Sequence, residues 1–224
     1  MKKKIYYLFP FLAFVLMACE GFEFGFNEGQ HHSAGLDKSF SASADGAPTS
    51  YYYYSGDTFD KEGYSSAIIT FQNINENASN ITDVDVLSGY LNVTNGEAFS
   101  SLGEPQYVGT KEEGILFIGS TLPKNDGALT FTFNVNIDAV VIEAKPYSYV
   151  DNSFNKDELI VDHNVAIAVN DKPYIKLGEE VDSENEDEIE TTECVYALEE
   201  ISNSVKIKVA TARAVIEKII VYYN

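Results

Sequence analysis

The chain is expected to form an all-β protein, an antiparallel β-sandwich or barrel, and three observations carry that expectation. From about Tyr51 onward, apolar residues recur in short runs of period two. Gly, Asn, Asp and Pro clusters separate the runs. No apolar stripe of helical period extends over three turns anywhere in that region. Alternation with period two is what a strand with one buried face requires, and many short strands at such spacing build sandwiches and barrels.

The elements follow in order. Tyr51-Tyr52-Tyr53-Tyr54 can enter as a strand that packs alternate rings on opposite faces. Ser66 to Asn73 sets Ile68 and Thr70 on one face, with Ile69 and Phe71 on the other. Val86 to Thr94 is expected to be a strand, and Ile115 to Ile118 is a brief apolar run. Leu129-Thr130-Phe131-Thr132-Phe133-Asn134-Val135 alternates strictly, and Asp138 to Ala144 follows as a further strand. Val165 to Val169, then Asn170-Asp171, then Pro173 to Leu177 has the turn chemistry of a hairpin. Cys194 to Leu198 is a strand, and so is Val205 to Val209, where Lys206 and Lys208 alternate with apolar residues. Ala210 to Lys218 has some helical propensity. The β-branched Val215, Ile216, Ile219 and Ile220 favour a strand that closes the chain, Ile216 to Tyr223. The sum is about nine to eleven strands.

The N-terminus has a different character. Lys2, Lys3 and Lys4 precede an apolar run, Ile5 to Leu16, that contains Pro10. The run is shorter than the roughly 20 residues of a spanning helix and matches a secretory signal. Leu16-Met17-Ala18-Cys19 then resembles the lipobox of bacterial lipoproteins. The resemblance implies cleavage before Cys19, lipid on Cys19, and a membrane-anchored protein of the bacterial cell envelope facing outside the cytoplasm. The alternative is an ordinary secretory signal cut near Ala18. Residues 19–50, rich in Gly, Ser, Ala and Asn, are expected to be a flexible tether. Phe22, Phe24 and Phe26 could form a short strand there or rest at the membrane interface. The adjacent His31 and His32 point in different directions and make a poor metal site. The expected organisation is thus a signal over 1–18, a tether over 19–50 and a β-sandwich domain over 51–224.

The chain carries 15 basic and 35 acidic residues, a net charge of −20. Loss of the leader removes three lysines and no acid, which leaves −23. Such a charge repels nucleic acid and anionic headgroups, so no nucleic-acid partner is expected, and cations or cationic partners fit better. Only two Cys occur. With Cys19 lipidated, Cys194 has no partner for an internal disulfide and reads as a packed, inert thiol in a strand. The fold therefore rests on its apolar core.

The order of segments from Tyr107 to the end carries a second resemblance. It runs through Leu116-Phe117-Ile118-Gly119-Ser120, Gly127 to Phe133, Ala139 to Ala144 with Tyr147, Ile167 to Asn170, and Arg213 to Tyr223. This order resembles the jelly-roll accessory domains of surface and secreted proteins in low-GC bacteria, which are similar to galactose-binding-like and carbohydrate-binding modules. It implies a jelly-roll β-sandwich and supports the fold more than any ligand.

Three clusters are candidate sites. Tyr147 and Tyr149 lie in an expected loop with Asp151 and Asn152. Tyr rings stack on sugars and Asn side chains bond hydroxyls, so Tyr147, Tyr149 and Asn152 are candidate ligand-binding residues; the alternative is that the rings cover the edge of the core. From Gly178 to Glu200 there are eleven acidic residues and no basic one. Asp182, Glu184 and Glu186 in this run could converge on Ca²⁺, although the glycine of a calcium-loop sixth position is replaced by Asp187; a solvated loop of like charges is the alternative. Glu188, Glu190 and Glu193 resemble the carboxylate cluster of laminarinase-type β-sandwich glycosidases. Retaining glycosidases need two carboxyl groups about 5 Å apart. Glu190 replaces the central Asp, and the chain has no Trp to form a sugar platform.

No Gly-x-Ser-x-Gly elbow, His-Glu-x-x-His or P-loop is present, and His163 is the only histidine within the domain. Asn77-Ala78-Ser79, Asn80-Ile81-Thr82 and Asn92-Val93-Thr94 match glycosylation acceptors and read as polar loops. The function expected from these observations is a non-catalytic surface lipoprotein that binds glycan, envelope polymer or a partner protein, without a cofactor other than Ca²⁺. A surface glycosidase and a purely structural envelope protein are the alternatives.

Overall fold

The computed structural model describes residues 36–40, 51–122, 126–152, 158–178 and 189–224. In chain order these form β1 (Leu36–Phe40), β2 (Tyr51–Tyr54), β3 (Ser65–Phe71), α1 (Val84–Ser88) and β4 (Leu91–Thr94). Then come β5 (Phe99–Gln106), β6 (Val108–Lys111), β7 (Ile115–Gly119), β8 (Gly127–Pro146) and β9 (Ser148–Asp151). The last are β10 (Glu158–Val161), β11 (Ala166–Val169), β12 (Ile175–Lys176), β13 (Thr192–Ala210) and β14 (Arg213–Tyr223). The protein is all-β, antiparallel and sandwich-like. No helix among the described residues is long and apolar enough to cross a membrane.

Two long strands organise the sheet. The runs Leu129–Val135 and Asp138–Ala144, expected as separate strands, join in β8, and Cys194–Leu198 and Val205–Val209 join in β13. β8 and β13 pair along their length, but the register slips between Ala197 and Ser202 and again between Ser202 and Ser204. Across the slips the phase of burial reverses. Leu129, Phe131 and Phe133 enter the core from one half of β8, and Val140, Ile142 and Ala144 from the other. In β13 the switch runs from Cys194 and Tyr196 to Val205, Ile207 and Val209. A one-residue change of phase exchanges the faces of a strand, and a bulge bends it. The bend therefore lets both halves of each strand feed one core.

On its other edge, β8 pairs β5 through Phe99↔Phe133 and Leu102↔Phe131, then β14 through Tyr222↔Ala139 to Ala214↔Pro146. The main path is β12-β11-β13-β8-β14-β3-β4. Rows of residues in register cross five strands of this path. Val93, Ile69, Ile219, Ile142 and Cys194 form one row, facing the core, and Asn92, Thr70, Lys218, Glu143 and Glu193 form the next, facing outward. On the outward row Lys218 pairs with Glu143 at 2.5 Å, and beside it Lys145 pairs with Glu217 at 3.0 Å.

Further along the outer face, Ala139, Val141 and Tyr222 are buried under Phe59 and Tyr64. The segment that carries these rings is tied down by Asp57. Its N–H donates to Val195 O (2.9 Å), and its carboxylate accepts from Ala197 N (2.8 Å) and the Tyr54 hydroxyl.

Two expectations change here. Val86–Thr94 is not one strand: Asp83 caps α1 by accepting from Asp85 N (2.9 Å) and Val86 N (3.3 Å), Leu87 is buried, and the strand starts only at Leu91. A side-chain cap with helix-compatible spacing overrides the strand propensity of two valines. Leu36–Phe40, within the stretch expected as tether, pair with Tyr51–Tyr54 as β1 and β2. The hairpin at Asn170-Asp171 forms as expected, Ala166↔Lys176 and Ile167↔Ile175, and β14 is a strand throughout.

Candidate functional site

The site with the most chemistry lies where the sheet gives rise to a two-stranded ribbon. β9 and β10 pair only with each other among the described strands, with Ser148↔Val161, Tyr149↔Ile160 and Val150↔Leu159 in register. Tyr147 stands at the base of one strand of the ribbon and Asp162 at the base of the other. Asp162 N donates to Tyr147 O at 2.8 Å, and Tyr147 N donates to Arg213 O at 3.0 Å.

Arg213 closes the base. It is the only arginine of the chain, against fourteen lysines. Its Nε and Nη2 donate to Oδ2 and Oδ1 of Asp162 at 2.7 and 2.8 Å, and its backbone N–H donates to Oδ2 at 3.0 Å. The guanidinium lies 4.0 Å from the centre of the Tyr147 ring, 5.6 Å from Tyr149 and 5.9 Å from Phe117. Only a planar fork can serve a carboxylate with two parallel bonds while it stacks on a ring, so lysine could not take this place. Burial opposes the charge of Arg213. The hydrogen bonds and charge of Asp162 outweigh that cost and hold its pKa above the ordinary arginine value.

Gly119 makes the approach of Arg213 possible. It sits at φ +116° opposite Arg213 in the β7–β14 pairing, and a Cβ there would overlap the carbonyl oxygen of Ala212. Phe117 meets Tyr147 edge-on at 4.9 Å, and Val215 completes this small apolar cluster. Lys111 adds a second cation: its Nζ lies 5.2 Å from the Tyr147 ring and donates to Ser148 O at 3.0 Å.

The structure brings together two of the three expected ligand residues. Tyr147 is buried and Tyr149 is 37 % exposed, with ring centres 6.3 Å apart and planes inclined by 40°. They do not lie in a loop as expected: Tyr149 belongs to β9, because the apolar Leu159, Ile160 and Val161 return alongside it. Asn152 is exposed just past the end of β9. Sequence reasoning missed Arg213 and Asp162 as members of the site. The signal that could have found Arg213 was its uniqueness in a lysine-rich basic set; nothing local links it to Asp162, fifty-one positions earlier.

The remaining candidates fall elsewhere. Cys19, Asp182, Glu184, Glu186 and Glu188 lie outside the described residues. Glu190 and Glu193 are exposed, and Glu193 faces outward opposite Glu143, whose carboxylate is paired with Lys218. No group of three or more His, Cys, Asp or Glu side chains able to hold a metal occurs among the described residues. His163 is exposed. Cys194 is fully buried, and burial, helped by the charge of Glu193, pushes its thiol up to about 12. Such a thiol is neutral and inert at physiological pH. No protein-family model matches the chain, and neither does any curated protein.

Proposed function

We propose that the protein is a non-catalytic lipoprotein of the bacterial cell envelope, anchored through Cys19, whose sandwich-like domain binds glycan, envelope polymer or a partner protein. The observation that carries the reading is the exposed Tyr149 ring, backed by Tyr147 and Arg213 at the base of the ribbon. A partly exposed aromatic ring held against Tyr147 and Arg213 offers apolar contact without a large entropy loss on binding. Near the ribbon and on the outer face of the sheet, Asp162, Glu143 and Glu217 are each engaged with a basic side chain, which favours binding over catalysis at those positions. A general acid or nucleophile needs a carboxyl group aimed at substrate.

The test is a polysaccharide array probed with the full chain in calcium-containing buffer, beside metabolic labelling with a fatty-acid analogue. Binding to at least one polymer and label lost in Cys19→Ala are the expected results. A blank array from folded protein would remove the glycan form of the reading and leave a protein partner, to be sought as a stoichiometric co-purifying chain. Equal label in parent and Cys19→Ala would remove the anchor.

A further inference from the structure

We infer that the ligand of the Tyr149 platform is an uncharged saccharide, and that the charges at its base serve the platform rather than the ligand. This rests on the glycan form of the reading above and names its ligand class. Three observations lead to it. Arg213, the chain's one guanidinium, directs both Nε and Nη2 to Asp162, so the fork that would clamp a ligand carboxylate or sulfate is occupied within the protein. The chain carries a net charge of −20, which repels a polyanionic glycan before contact. A cationic ligand, which the net charge would attract, is opposed at the site itself by Lys111 and Arg213, 5.2 and 4.0 Å from the neighbouring Tyr147 ring. What remains is a neutral ring whose apolar C–H face can lie on Tyr149, which is 37 % exposed.

Arg213 is then a positioning residue. It reaches the ligand only through Tyr149, whose ring centre lies 5.6 Å from the guanidinium.

The test titrates the full chain against dextran, galactan and mannan, and against dextran sulfate, polygalacturonate and chitosan, at low and high salt. The expected result is binding to a neutral polymer that changes less than about twofold between roughly 50 and 500 mM NaCl, because no ion pair forms with the ligand. Tyr149→Ala should weaken that binding by about tenfold or more and Tyr149→Phe should retain it, with both variants folded by circular dichroism. Binding confined to charged polymers, and falling steeply with salt, would overturn the inference and leave the glycan reading standing. Neutral binding that Tyr149→Ala leaves intact would place the site elsewhere and also overturn it. A blank panel would overturn both this inference and the glycan reading.

Discussion

The five-strand half of the sheet and the β9–β10 ribbon are both antiparallel pairings, yet they are held in opposite ways. In the half-sheet, residues in register form whole rows, such as Val93, Ile69, Ile219, Ile142 and Cys194, and each row shares its burial among several strands. The ribbon has four pairs of residues in register, and Val150 is 47 % exposed on it. A lone two-stranded ribbon is marginal in water. This one is fastened at its base chiefly by Arg213, through two side-chain bonds and one backbone bond to Asp162 and a stack on Tyr147, with Lys111 bonded to Ser148 O beside it. The difference teaches where each region spends its stability. The half-sheet distributes it and stays closed, whereas the ribbon concentrates it at its base and leaves Tyr149 available.

Three changes would break or sharpen that contrast. The largest effect is expected in the shared core. Phe131 is fully buried between β5 and β13, so Phe131→Ala should cost about 3–5 kcal/mol. Denaturant unfolding followed by two probes, one on the ribbon and one on β14, should show both transitions shifting together. A shift of one alone would mean that the core is not shared.

Arg213→Met comes next. It leaves the Asp162 carboxylate, 6 % exposed, without its cation. Breaking a buried pair costs about 3–5 kcal/mol, and the lower end applies here because the Arg213 side chain is 20 % exposed. Hydrogen exchange should show loss of protection at Tyr149, Val150 and Leu159 while the β3–β14 amides keep theirs. Equal loss in both regions would show that Arg213 holds the sheet as well as the ribbon.

The smallest effect, read over a single pH unit, is a slope in pH. The Cys194 thiol, ordinarily near 9.0, is raised to about 12 in the folded protein, so it stays neutral there while the unfolded chain ionises. Stability from this group is complete below about pH 9 and falls as pH rises from there towards about 12, by about 1 kcal/mol over the first unit. Burial also raises the Tyr196 hydroxyl, which steepens the same fall. Cys194→Ala should flatten the parent's slope over that window by the cysteine's share, as read from urea midpoints. An unchanged slope would mean that the thiol is not sealed within the half-sheet.

Much of the fold was legible in the residues. The strict alternation of Leu129 to Val135, the lysines between Val205 and Val209, and the β-branched run ending at Tyr223 each specify a strand with one buried face, and each is a strand. The same rule failed at Val86, because Asp83 caps a helical turn that alternation does not register. It also ended strands too early. The polar residues between Phe133 and Val140, and between Leu198 and Val205, resemble loops, but they mark bends within β8 and β13. Of the candidate site, Tyr147 and Tyr149 were visible as rings next to polar residues. Their support was not, since Arg213, Asp162, Lys111 and Phe117 are scattered along the chain.

By itself, then, the sequence determined the all-β character, the faces of most strands, the acidity that disfavours polyanionic partners and the burial of the Cys194 thiol. These follow from period and composition, which are local or global sums that need no partner to be named. Only the tertiary structure decided that β8 and β13 would bend and share one core, and that the one arginine would lock onto Asp162 beneath Tyr149. Pairing register and ion-pair choice depend on which distant segments meet. That is settled by the joint packing of every strand, and no short window of residues contains it.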